Sequence, residues 1–312
     1  METPDETHEP PGAGERRCGF VRVLGPTNAG KSTLVNALVG TKVAIVSHKV
    51  QTTRAPIRGI AIENQSQIVF LDTAGIFNPK RRLDRAMIDA AWSVLEDADA
   101  VLLVVDAASG PDEDVMRIVE RLKTARMPRI AILNKIDRVE DKPKLLALAK
   151  RLDQELAFDR IFMVSALEGK GVGDLRKYLA GLMPVGPWHY AEDDVTDVPM
   201  RTQAAEMTRE CIYRFLHQEL PYTTTVETMS WKTLKDGSAR VEQTIYVERD
   251  GQKKIVLGKG GATIKSISSA ARRSIEEMAG HRVHLFLFVK VRENWESDPE
   301  RYREMGLPFP KS

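Results

Sequence analysis

Gly25-Pro26-Thr27-Asn28-Ala29-Gly30-Lys31-Ser32 decides how the rest of the chain is read. The apolar run Phe20–Leu24 precedes it, and a helical pattern, Thr33-Leu34-Val35-Asn36-Ala37-Leu38, follows it. Strand, glycine loop and helix in that order make a phosphate-binding loop of the GxxxxGKS type. Gly25 and Gly30 free the backbone to wrap a polyphosphate with its N–H groups inward. Lys31 reaches the outer phosphates, and the Ser32 hydroxyl can ligate a Mg²⁺ that bridges them. A chance glycine-rich turn is the competing explanation, and it accounts for neither the intact motif nor its flanks.

Outward from this loop, residues 18–185 alternate strand-like apolar runs with helical patterns. The strand candidates are Val21–Leu24, Ile57–Ile62, Ile68–Leu71, Val101–Val105, Ile130–Leu133 and Ile161–Val164. Helical stretches fall near 31–39, 81–96, 113–125, 142–157 and 171–183. Such alternation predicts a doubly wound, mostly parallel α/β sheet with helices on both faces. Glu63-Asn64-Gln65 reads as a hairpin turn, which makes one edge strand antiparallel. Ligands bind at the carboxyl ends of such strands, and the remaining motifs all lie there.

Val50-Gln51-Thr52-Thr53-Arg54 occupies the loop after the first helix. Thr52 and Thr53 are nucleotide candidates, and Thr53 is placed on the Mg²⁺ and γ-phosphate, to be released on hydrolysis. Asp72-Thr73-Ala74-Gly75 ends a strand. Asp72 can reach the metal through a water there, and the Gly75 N–H can meet the γ-phosphate. Asn134-Lys135-Ile136-Asp137 selects the base. Guanine offers N1–H and a 2-amino group on one edge, and the Asp137 carboxylate can accept from both. Adenine lacks that donor pair, so ATP would leave the carboxylate unpaired. Asn134 is expected to brace the phosphate loop, the Lys135 stem to lie over the ring, and the Ala166 N–H of Ser165-Ala166-Leu167 to meet guanine O6. Each motif alone is common, but their order and spacing together specify a guanine nucleotide. The residues expected to touch it thus include Pro26, Thr27, Ala29 and Thr33 of the loop and its helix. Lys31, Thr53 and Gly75 carry the hydrolysis, and Ser32, Thr53 and Asp72 carry the metal. Ile76 stands where many GTPases place a water-orienting glutamine, so slow unaided turnover is expected.

Residues 186–199 read as a linker, with an acidic cluster, flanking prolines and no periodicity. Trp188 and Tyr190 are expected to pin it, and His189 is given no function. Beyond it, Met200–Leu216 is helical, and the strand patterns Thr223–Thr233 and Ala239–Glu248 meet at Lys235-Asp236-Gly237. Gly258-Lys259-Gly260-Gly261 then opens a long helix to Met278, and a strand spans His281–Val291. This helix–strand–strand–helix–strand order with GxxG matches a smaller α+β unit, the type II KH nucleic-acid module. Lys254, Lys259, Lys265, Arg272 and Arg273 join the glycines as RNA candidates. Between 250 and 292 nine lysines and arginines face only Asp250, Glu276 and Glu277, although the whole chain is nearly neutral at +2.

The full 312 residues, 42% hydrophobic and 29% charged, suit a soluble two-domain protein. Cys18 and Cys211 show no metal-ligand spacing and read as reduced cytosolic thiols. No apolar run is long enough to span a membrane. Residues 1–17 read as a polar, disordered tail, and 296–312 as a tail with one short helix beginning near Pro299.

From about residue 19 to residue 310 the chain resembles the Era family of GTPases. The resemblance rests on the GTPase motifs followed by Gly258-Lys259-Gly260-Gly261, Leu285-Phe286-Leu287-Phe288-Val289-Lys290-Val291 and Asp298-Pro299-Glu300. It implies a monomer that binds 16S rRNA near its 3′ end, helps mature the 30S subunit, and touches the inner membrane peripherally. It also implies that Asn28 recruits a potassium ion in place of a catalytic side chain. Ala74 departs from the proline usual in that family, which leaves both polar contacts but removes a rigid residue. Two other readings stay open: an RNA-binding protein with structural GTP, and a signalling GTPase whose second domain binds protein. RNA affinity that is equal in GDP and a GTP analogue marks the first. RNA binding with steep salt dependence counts against the second.

Overall fold

The computed structural model describes residues 15–47, 53–79, 81–93, 97–216, 220–293, 298–304 and 306–309. Strand β1 (Arg17–Leu24) starts one residue inside the stretch expected to be a tail. Helix α1 (Lys31–Val39) follows the glycine loop. Strands β2 (Ile57–Glu63) and β3 (Ser66–Asp72) come next, then α2 (Arg82–Ser93), β4 (Ala100–Asp106), α3 (Glu113–Leu122), β5 (Arg129–Asn134), α4 (Lys142–Glu155), β6 (Arg160–Met163) and α5 (Val172–Leu182). They form a six-stranded sheet in the order β2-β3-β1-β4-β5-β6. Only β2 runs antiparallel within it, against β3. Asn64 turns that hairpin at φ 54°, a left-handed conformation that asparagine tolerates.

Val101–Val105 is apolar throughout because both faces of the central strand are covered. Val21 and Val23 pack with Leu34, Val35 and Leu38 of α1 on one side. Leu24, Leu103 and Leu133 pack with Val115 and Ile118 of α3 on the other. The two cores clamp the sheet so that the ends of β1, β3, β4 and β5 converge on one edge.

The stretch after α5 lies along the antiparallel edge strand. Val195 O accepts from Ile60 N at 2.9 Å, and Thr196 Oγ1 donates to Arg58 O at 2.6 Å. Trp188 Nε1 donates to Gln65 O, and Gln67 Nε2 donates to Tyr190 O. An otherwise open sheet edge is thereby covered. His189 stacks on Phe20 with ring centroids 5.6 Å apart, a packing role.

The second unit has α6 (Met200–Phe215), β7 (Thr225–Thr233), β8 (Ala239–Val247), α7 (Asp250–Leu257), α8 (Ala262–Ala279) and β9 (Val283–Val291). Its sheet runs β7-β8-β9, antiparallel then parallel, with α6 and α8 packed on one face. Helix α7 is the element the strand–strand–helix reading misses. Only Val256 in it is buried, so Ile255-Val256-Leu257 is too short an apolar run to show a helical period. The GxxG loop therefore joins two helices. Helix α9 (Pro299–Glu304) returns to the first unit, where Tyr302 and Leu307 pack on Ala74, Leu83 and Met87.

Candidate functional site

The phosphate loop is shaped by its glycines. Gly25 has φ 153° and Gly30 has φ 93°. A Cβ on Gly25 would stand 2.4 Å from Val104 O, and one on Gly30 would stand 2.3 Å from Asn134 Nδ2. Asn28 also takes a left-handed conformation, with φ 61°. The loop opens onto a cavity of about 440 Å³, lined by Thr27, Asn28, Gly30, Lys31, Ser32 and Thr33 on one side and by Gly75, Asn134, Asp137 and Leu167 on others. Gly25, Pro26 and Ala29 are buried and do not line it. That volume suits a nucleotide-sized ligand.

Lys31 Nζ donates to Pro26 O at 2.8 Å and Gly25 O at 3.1 Å. Burial pushes its pKa down to about 8, partly opposed by the Asp72 carboxylate. A phosphate at this position would restore the usual ammonium by supplying negative charge.

Ser32 Oγ donates to Asp72 Oδ2 at 2.7 Å and lies 3.0 Å from Thr53 Oγ1. Thr53 Oγ1 itself lies 3.3 Å from Asp72 Oδ2. Asp72 is fully buried, and its Oδ1 has no partner among the described residues. Burial raises its pKa against the lowering bonds from Ser32 and Thr53 and the charge of Lys31. Two hydroxyls and a carboxylate with a spare oxygen are hard oxygen donors, the set that fits Mg²⁺. Thr52 lies outside the described residues. Thr73 has its hydroxyl on Val23 O at 3.1 Å, so it ties the end of β3 to β1, and it does not line the cavity.

Asn134 makes the brace expected of it. Its Nδ2 donates to Ala29 O at 2.9 Å, and its Oδ1 accepts from Ala166 N at 3.1 Å. The second bond also engages the Ala166 N–H, the group expected at guanine O6, and Ala166 lines the cavity. Asp137 Oδ1 accepts from Ser165 Oγ at 2.6 Å, which orients the carboxylate and leaves Oδ2 for a ligand. Lys135 takes φ 64° and reaches Asn28 O at 2.5 Å and Asp106 Oδ2 at 2.7 Å. Its ammonium thus ties the base-recognition loop to the phosphate loop, a contact the motif alone does not display. Ile76 is 2% exposed and packs in the core beside Leu24 and Leu103, with its N–H on Gly25 O. An apolar side chain held inward cannot orient a water.

In the second unit, Gly258 adopts φ 73° and ψ 170°, and a Cβ there would meet Thr263 Oγ1 at 2.2 Å. Gly260 and Gly261 follow at φ 59° and 78° with open space beside them. Lys254, Lys259 and Lys265 are exposed around the loop. Arg272 and Arg273 are not brought to it, because α8 carries them about 15 Å further along its axis. Arg272 is instead paired with Glu276 at 2.9 Å.

Among the described residues no helix is long and apolar enough to cross a membrane. Comparison with known proteins agrees with both halves of the molecule. The 50S ribosome-binding GTPase family matches residues 20–135, and the KH domain family matches residues 219–296. "GTPase Era" of Afipia carboxidovorans is 62% identical over 295 residues, covering 95% of this chain and 96% of its own. "GTPase Era" of Brucella suis is 59% identical over 298 residues, covering 96% of each. A crystal structure of Era in complex with MgGDPNP and nucleotides 1506–1542 of 16S ribosomal RNA superposes with a TM-score of 0.88. It is 35% identical and covers 93% of this chain and 99% of its own. A crystal structure of an Aquifex aeolicus Era variant bound to GDP.AlF4⁻ matches with the same TM-score, identity and coverage. A phosphate loop, an aspartate oriented by Ser165 and a GxxG module in one chain, with relatives of this identity over nearly its full length, mean that the chain belongs to the Era family of GTPases.

Proposed function

We propose that this GTPase binds the 3′ region of 16S rRNA in a nucleotide-dependent manner and so assists maturation of the 30S subunit. The exposed Gly258–Gly261 loop, flanked by Lys254, Lys259 and Lys265, carries the RNA half of the reading. Such a loop lets about four nucleotides approach the backbone closely. The relative of 35% identity was crystallised with both MgGDPNP and a 16S rRNA segment, which supports the same pairing of ligands here.

At the nucleotide site Ser32, Thr53 and Asp72 would hold Mg²⁺, which would supply positive charge against the charge that develops in transfer. Gly25, Gly30 and the backbone between them cradle the phosphates, and Lys31 adds a fixed cation at the outer ones. Asp137 would accept from the base, Asn134 braces the loops around it, and Gly75 lines the cavity where a terminal phosphate would lie. Asn28 lines the cavity beside the phosphates, where its amide oxygen is a fitting ligand for K⁺. Turnover is expected to be several-fold faster in K⁺ than in Na⁺ at equal ionic strength. Equal rates in a steady-state phosphate-release assay would remove the ion from this reading.

Affinity for a 16S 3′-terminal oligonucleotide tests the switch. Binding is expected to be about tenfold tighter with a non-hydrolysable GTP analogue than with GDP. Gly258→Ala forces a clash with Thr263 at a backbone angle only glycine adopts easily. That variant is expected to lose at least about tenfold in RNA affinity while hydrolysing GTP normally. Unchanged RNA binding by Gly258→Ala, or equal binding in both nucleotides, would overturn the corresponding half of the proposal.

A further inference from the structure

Thr53 of the loop between α1 and β2 belongs to the candidate nucleotide site, yet Lys42, Ile45 and Arg54, among the described residues of the same loop, are anchored in the second unit. Lys42 pairs with Glu210 of α6 at 2.5 Å. Ile45, 1% exposed, packs among Ala204, Met207, Val241 and Ile275. Arg54 goes furthest. The residue is 7% exposed, and its guanidinium donates to Thr224 O and Tyr222 O, each at 2.8 Å, and to Pro221 O at 3.3 Å. All three carbonyls belong to the turn between α6 and β7.

The preceding residue, Thr53, points the other way, to Ser32 and Asp72. Neighbouring side chains of an extended segment project to opposite sides. Thr53 and Arg54 therefore join the metal site to the second unit across one peptide bond. A planar guanidinium spanning three carbonyls is held in position and orientation together. Burial of that cation also means the contact cannot simply be exchanged for water at low cost.

We infer that Arg54 is a positioning residue for GTP hydrolysis, holding Thr53 on the metal from the second unit. The inference rests on the assignment of Thr53 to the metal, and it is independent of RNA binding. Thr53 serves Mg²⁺ and the γ-phosphate, so GDP does not need it. Loss of the anchor should consequently discriminate between nucleotides. It also makes the second unit part of the switch: whatever displaces the α6–β7 turn alters GTP binding, and GTP binding alters the turn to the same extent.

Full-length Arg54→Ala, Arg54→Lys and Thr53→Ala proteins test this by titration with GDP and with a non-hydrolysable GTP analogue in Mg²⁺, and by kcat and KM for GTP. For Arg54→Ala the analogue is expected to bind about tenfold more weakly and kcat to fall about tenfold, with GDP affinity within about twofold of wild type. Arg54→Lys should recover part of both losses, because an ammonium can donate to one or two of the carbonyls but lacks the planar fork that reaches all three. Preserved GDP affinity reports that the variant is folded. An equal loss for both nucleotides, or wild-type kcat and analogue binding in Arg54→Ala, would overturn the inference. If Thr53→Ala itself leaves analogue binding unchanged, the assignment of Thr53 fails, and the inference fails with it. If Thr53→Ala discriminates and Arg54→Ala does not, only the inference fails.

Discussion

Asp137→Asn is expected to weaken GTP binding by at least about 100-fold and to let xanthosine triphosphate bind better than GTP. The carboxylate takes two guanine donors on one side, and its other side is set by Ser165 Oγ at 2.6 Å. An amide in its place keeps one acceptor and brings an N–H against the guanine 2-amino group. Donor then faces donor, and both hydrogen bonds to that edge cannot form together. Xanthine carries an oxygen at that position, so the same amide finds an acceptor. Competition of labelled GTP with each nucleotide measures the ratio directly. Wild-type GTP affinity in this variant would show that base selection lies elsewhere in the loop.

Lys31→Met is expected to lower kcat/KM for GTP by about 100- to 1000-fold, the scale of removing a fixed charge from a developing one. The same change should stabilise the nucleotide-free, Mg²⁺-free protein. Lys31 is nearly buried, and its pKa falls to about 8 from an ordinary 10.5. Below pH 8 the lysine is charged whether the chain is folded or not, and the folded state bears the full cost of desolvation. Between about 8 and 10.5 the unfolded chain binds more protons, so wild-type stability rises with pH across that window. The variant should therefore be more stable than wild type at pH 7, by on the order of 1–3 kcal/mol, with the gap closing above pH 8. Urea midpoints of both proteins at about pH 7 and pH 9 check the sign. A variant less stable than wild type at pH 7 would mean that the two carbonyl bonds outweigh the burial.

Much of this architecture is legible from local patterns because the contacts that make it are local. A strand must be apolar on both faces to lie in the middle of a covered sheet, as Val101–Val105 does. The phosphate loop works through backbone shape, which Gly25 and Gly30 impose within a single short turn. Asp137 and Asn134 act at the end of their own strand, where chain direction already aims them at the ligand. Helix α7 escapes such a reading because its inward apolar residues, Val256 and Leu257, are adjacent and show no helical period. The pairing of Arg272 with Glu276, by contrast, is legible, since four residues of helix bring the two side chains together.

Contacts between distant stretches are invisible to local patterns. Nothing local shows that Ala166 N–H is held by Asn134, or that Lys135 reaches Asn28 and Asp106. The clearest case is Arg54. Its neighbour Thr53 belongs to a recognisable nucleotide loop, but its own partners lie far along the chain, at Pro221, Tyr222 and Thr224. Those partners are backbone carbonyls, which every residue type supplies, so no side-chain motif marks them. Tyr302 against Ala74 is similar: an aromatic in the last helix finds its pocket only once both units have folded. The chemistry of the nucleotide site and the presence of an RNA-type module are thus written in the residues themselves. That the switch loop is held from both sides follows from how the two units pack, because it depends on surfaces no single stretch contains.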